Sequence, residues 1–120
     1  MYNINMKIIN KTKIETIMIK KIGLSAGIDF LENSHLVIIE EELKEDNAEL
    51  NCFISGGYAT YQIKLNPNNK FKRSSLSHEL KHIEQIQRLG FDEVERISEK
   101  FCYDTDPLEI EAFKFQSKYL

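Results

Sequence analysis

The stretch Ser77–Gln87, SHELKHIEQIQ, constrains this chain more than any other. Leu80, Ile83 and Ile86, with Leu76 just before them, recur at helical spacing, and neither Gly nor Pro interrupts Lys72–Leu89. A helix here must bury that apolar stripe against a partner. Gly90 follows the last apolar position and is the expected C-terminal stop. The same helix puts His78 and His82 one turn apart on one face, with Glu79 about 100° round from His78.

Two imidazoles so placed can reach one metal ion, and the neighbouring carboxylate can touch a water on that ion. This H-E-x-x-H pattern supplies what a zinc hydrolase needs: two nitrogen ligands on one rigid element and a carboxylate base beside them. Two of the three histidines in the chain are used in it. The plainer alternative is a helix turn carrying two solvated histidines.

The 120 residues are read as a single domain, 1-120. A hydrophobic share of 42% with 29% charged residues is that of an ordinary globular protein. A net charge of −3 and the lack of any basic block argue against nucleic acid as a partner. No apolar run is long enough to span a membrane, and no signal peptide is evident, so the expected location is cytoplasmic. Cys52 and Cys102 are expected to be free, buried thiols of a reducing compartment.

Ile4, Met6 and Ile8 alternate as in a short strand or an extended lead-in. Thr12 and Glu15 form a capping-box signature before Ile14, Ile17, Met18 and Ile22, which predicts a helix over Lys13–Ile22 ended by Gly23. Leu36–Ile39, Leu50–Ser55 and Tyr58–Leu65 read as strands, the last two joined at Gly56-Gly57. Tyr61, Ile63 and Leu65 are the expected buried face of the third. The run Glu40-Glu41-Glu42, with Glu45, Asp46 and Glu49, reads as a solvated strand end and loop rather than a cation site. Asp92–Glu95 is another capping pattern, and Val94, Ile97 and Phe101 mark a helix after the central one. Asp106 as N-cap with Pro107 at the first helical position starts a last helix, packed through Leu108, Ala112, Phe115 and Tyr119. The expected fold is α+β: a small antiparallel three-stranded sheet packed on helices, with the HExxH helix and a C-terminal Glu-bearing helix.

A catalytic zinc site takes a third protein ligand and keeps a position for water. His35, the two cysteines and a carboxylate are the candidates. Glu109 and Glu111 on the last helix point about 200° apart, so at most one faces a shared metal. Glu109 lies on the side of Ala112, whose small size lets two helices approach. It also stands three residues after Asp106, where it can instead close a capping box. The residues alone leave both readings open.

Taken together, HELKH at 78–82 and DPLEIEA at 106–112 resemble the gluzincin metallopeptidases. The likeness is strongest to the very small minigluzincins and to bacterial proteins with HELxHxxQ followed later by NPxExEA. It covers Tyr58 to Gln116, and Met1–Leu50 resembles nothing comparable. The resemblance implies Zn²⁺ held by His78, His82 and Glu109, with Glu79 as general base in peptide-bond hydrolysis. It also implies that Tyr58–Leu65 is an edge strand along which a peptide or protein substrate aligns. Asp106 stands where Asn is commoner. Phe113 stands where many larger gluzincins carry an Asp, so the resemblance identifies no partner for a ligand histidine. For the oxyanion donor, Tyr103, Tyr61, His35 and Arg88 are all candidates. Two rival readings stand beside the peptidase: a catalytically inactive zinc-stabilised peptide- or protein-binding module, and a metal-free interaction domain.

Overall fold

The computed structural model describes residues 5–119, in which a strand, a helix, three strands and three helices follow along the chain. β1 spans Met6–Asn10, α1 Thr16–Ala26, β2 Ser34–Glu40, β3 Ala48–Ser55 and β4 Tyr58–Leu65. α2 spans Lys72–Leu89, α3 Phe91–Lys100 and α4 Pro107–Gln116, with short 3₁₀ turns at Tyr103–Thr105 and Ser117–Tyr119.

The sheet is not the three-stranded antiparallel one expected. It has four strands in the order β1-β2-β4-β3, parallel between β1 and β2 and between β2 and β4, antiparallel only between β3 and β4. The reason lies in the first fifty residues. Met6–Asn10 is a real strand, and α1 is the helical crossover that returns the chain to a parallel neighbour. The part of that alternation carried by Ile4 lies outside the described residues. The long acidic connection then lets β3 run to the outer edge, so β4 lies inside the sheet, between β2 and β3. The edge strand anticipated at Tyr58–Leu65 is therefore β3, not β4.

Gly56 and Gly57 join β3 to β4 with φ of 57° and 77°, the left-handed geometry of a primed hairpin turn. On β4, Ala59, Tyr61, Ile63 and Leu65 are buried while the alternate residues are half-buried, as the period-two pattern requires. Tyr61 has burial and a hydrogen bond to Glu32 Oε1 at 2.7 Å, which together raise its pKa.

α1 starts at Thr16, later than expected, because Thr12 does not cap it. The Asn10 side chain accepts from both the Thr12 amide and hydroxyl, and Thr12 Oγ1 in turn accepts from the Ile14 amide, so the chain forms polar turns there instead. The helix also runs through Gly23 to Ala26. A Cβ at Gly23 would sit 2.6 Å from the Phe30 ring, so this glycine serves close packing rather than termination. The stop is Gly27, at φ 95°, whose amide bonds back to Gly23 and Leu24 carbonyls.

α2 is the central element. It packs on α1, on α4 and on the β3–β4 side of the sheet. Leu76, Leu80 and Ile83 are fully buried in the core with Leu36, Ile38 and Ile63. Ser74, Ser75 and Ser77 are buried at its start, where small side chains let it lie close to its neighbours. Lys81 ties it to α1: its ammonium donates to the last-turn carbonyl of Ala26 at 3.0 Å and pairs with Glu84. α3 starts at Phe91 straight after Gly90, and no side chain caps it, so the Asp92 capping box does not form. Among the described residues no helix is long and apolar enough to cross a membrane.

Candidate metal centre

His78 and His82 project from one face of α2 because four residues make just over one helical turn. Glu109 comes from the first turn of α4. Asp106 fixes where that turn begins: its carboxylate accepts from the Leu108 amide at 2.8 Å, with Pro107 at the first helical position. The Asp106 amide is itself bonded to the Cys102 carbonyl. Glu109 therefore closes no capping box and instead points at α2. Ala112, fully buried one turn on, provides the close approach of the two helices.

The three side chains meet at a point. Glu109 Oε1 lies 2.9 Å from His78 Nε2 and 3.0 Å from His82 Nε2, and the two nitrogens are 3.1 Å apart. Ligand atoms at about 2.0–2.1 Å from a tetrahedral zinc stand roughly 3.3 Å from each other, so this triangle is of the right size. Among the described residues it is the group of His, Cys, Asp and Glu side chains that can hold a metal ion.

The remaining nitrogens decide which atoms face the centre. His78 Nδ1 donates to Gln116 Oε1 at 2.8 Å, and His82 Nδ1 donates to Gln85 Oε1 at 2.7 Å. The Gln85 amide cannot be turned round, because its Nε2 donates to the Leu108 carbonyl and to Glu111 Oε1, each at 2.9 Å. Gln116 Nε2 donates likewise to Ser74 Oγ. With Nδ1 protonated in both rings, two Nε2 lone pairs and a carboxylate converge, an arrangement suited to a cation at its centre. Burial works against charge on both His82 and Glu109. Glu109 nevertheless raises the pKa of His82, and the two imidazoles packed against Glu109 hold its carboxyl at about 2. The site is thus built to bind positive charge.

Glu79, next to His78 on α2, lines the cleft beside this triangle and makes no hydrogen bond among the described residues. Burial raises its pKa, His82 and His78 oppose the shift, and Glu109 and Asp46 add to it. Two cavities adjoin the site and share Asp46, Ala48, His78, Glu79 and Tyr103. One, of about 230 Å³, is walled by Glu45, Asn47 and Phe113. The other, of about 350 Å³, has apolar walls from Leu50, Cys52, Ile86, Phe91, Val94 and Leu108.

The other sequence candidates lie elsewhere. His35 on β2 hydrogen-bonds Tyr58. Arg88 pairs with Glu84 and Glu111, so Glu111 faces α2 without reaching the metal point. Tyr61 is buried in the core, and only Tyr103 of the four oxyanion candidates lines the cavities. Both cysteines are free, as expected, but Cys102 is exposed because it sits in the break between α3 and α4. Cys52 is half-buried, and burial pushes its thiol up to about 11. In the sequence Gln85 stands out only as the last residue of the HELxHxxQ pattern, without a role, and Gln116 is not singled out; both prove to be partners of the histidines. Gln85 had a usable signal, three residues after His82 on the same helix face; Gln116 had only its place two turns beyond Glu109.

Comparison with protein-family models, with curated proteins and with solved structures gave no match. The case therefore rests on geometry. The His78/His82/Glu109 cluster, with its HxxxH spacing and downstream Glu, matches a gluzincin-like site. Its geometry is characteristic of zinc coordination and consistent with the zinc-activated catalytic site of metallopeptidases.

Proposed function

We propose that this chain is a minigluzincin-like metallopeptidase domain that hydrolyses peptide bonds at a Zn²⁺ centre, with Glu79 as general base. The observation that carries the reading is the convergence of His78 Nε2, His82 Nε2 and Glu109 Oε1 within 3.1 Å, with the carboxylate of Glu79 beside them and free of partners. Zinc bound there supplies Lewis acidity toward a carbonyl oxygen and brings the pKa of a coordinated water to near 7.

The chain's own residues do the rest. Glu79, with its proton affinity raised by burial, takes a proton from the attacking water and passes it to the leaving amine. Tyr103, which lines both cavities, is assigned as the donor to the oxyanion of the tetrahedral intermediate. β3 offers an outer edge beside the site, with Ala48 lining both cavities, so an extended peptide can add to it as a further strand. The location is taken as cytoplasmic.

The test is a pair of measurements on one preparation. Purified protein should bind zinc at one per chain and cleave a peptide library. Glu79→Gln should keep the zinc and lose cleavage by about two orders of magnitude or more. Zinc bound at one per chain with no peptide cleaved would instead make the site a structural clamp between α2 and α4.

A further inference from the structure

We propose that the smaller cavity beside the metal triad is a subsite for a cationic group of the substrate, the guanidinium or ammonium of a peptide; this rests on the peptidase reading above. One wall is Glu45 and Asp46, from the loop between β2 and β3. The same cavity is lined by the rings of Tyr103 and Phe113, set edge to face at 6.0 Å and left 60% and 48% exposed. Neither cavity is lined by any Lys or Arg.

The acids of this loop divide into two sets. Glu41 and Glu49 pair with Lys64, and Glu40 pairs with Lys72. Among the described residues Glu45 and Asp46 have no ion pair and no side-chain hydrogen bond. They are also held in place. Asn66 Nδ2 donates to the Leu43 and Asp46 carbonyls, and the Asn66 amide and Asn69 Nδ2 both donate to the Asn47 carbonyl. The turn before α2 thus pins the loop so that two uncompensated carboxylates stand at the cleft.

Carboxylates alone would equally suit a hard metal cation, which takes oxygen ligands only. The two aromatic rings change the preference. Ring faces attract an organic cation, and a guanidinium both stacks on them and pairs with carboxylates. With Glu79 behind them, the subsite combines charge and rings next to the bond to be cut.

Side-chain and α-amino cations share this chemistry, and the experiment separates them. Zinc-loaded protein is given acetylated, amidated peptides that differ at one scanned position between arginine, lysine and citrulline, the neutral isostere of arginine. A second set carries a free amino terminus. The expected result is a kcat/KM about five- to ten-fold higher for the cationic peptides. The preference should shrink in 1 M NaCl and vanish in the Glu45→Gln/Asp46→Asn double variant. A preference for the free amino terminus alone would assign the subsite to the α-ammonium. Equal cleavage of all forms, or a preference that survives in the double variant, would overturn the proposal and leave the peptidase standing. If no peptide is cut, the same series is titrated calorimetrically into the zinc-loaded native protein. Preferential binding of the cationic peptides then upholds the subsite while the peptidase reading fails; no preference sinks both.

Discussion

His78 and His82 are each oriented by a glutamine rather than by a carboxylate. A neutral amide fixes the tautomer without adding negative charge to the ligand ring, so the bound metal keeps more of its Lewis acidity. Replacing Gln85 or Gln116 by Leu should weaken zinc binding about 10–100-fold, read by competition with a chromophoric chelator. Gln85→Leu should be the worse of the two, because it also strands the Leu108 carbonyl that Gln85 holds inside the protein. At this scale the sequence was informative about the metal point and silent about its support. Two histidines four apart on a helix are a local fact, legible from spacing. The partners of their outer nitrogens depend on how α4 docks, and nothing local to Gln116 announces a contact 38 residues away.

α4 shows how an element delivers a ligand. Its start is set by Asp106 and its approach by Ala112, so two residues that touch no metal decide where Glu109 points. Asp106→Ala should cost about 1 kcal/mol of folding stability in denaturant melts, through loss of the cap to Leu108. Ala112→Leu should cost about 1–3 kcal/mol by overpacking against α2, and should weaken zinc binding as the helices part. The start of α4 was readable because Asp-Pro is a strong local signal. The start and end of α1 were not. There the side chains of Asn10 and Thr12 took the backbone into turns, and Gly23 answered to the Phe30 ring across space. A capping-box pattern and a glycine each have two uses, and tertiary contacts chose the second.

Across the whole molecule, what escaped the sequence was strand order. Alternation at 58–65 correctly identified the buried face of β4, but the register of a strand does not say who its neighbours are. The parallel pairing of β1 with β2 follows from the α1 crossover, while the connection from β2 carries β3 to the edge beside the cleft and its hairpin returns β4 parallel to β2. Three helices are further tied by Glu84, which bonds Arg88 and Lys81 on α2, while Lys81 reaches α1 and Arg88 reaches α4. Burial acts to raise the Glu84 pKa, but hydrogen bonds from Arg88 and Lys81 outweigh it and the pKa is lowered below 4.5. A carboxylate lowered on folding stabilises fully above its unfolded value and loses that contribution as pH falls through its folded one. The stability gap between the native chain and Glu84→Gln should therefore be constant above about pH 5 and close as pH drops below 4.5, in urea melts over that range.

Everything proposed for this molecule depends on one zinc ion held by two imidazoles from α2 and one carboxylate from α4. The X-ray absorption spectrum of the one-to-one zinc protein tests it directly. The expected spectrum shows two imidazole nitrogens and oxygen neighbours at about 2.0–2.1 Å with no sulfur. In Glu109→Ala the oxygen shell should change and both imidazoles should stay in place. A sulfur neighbour near 2.3 Å, or a spectrum with fewer than two imidazoles, would contradict it.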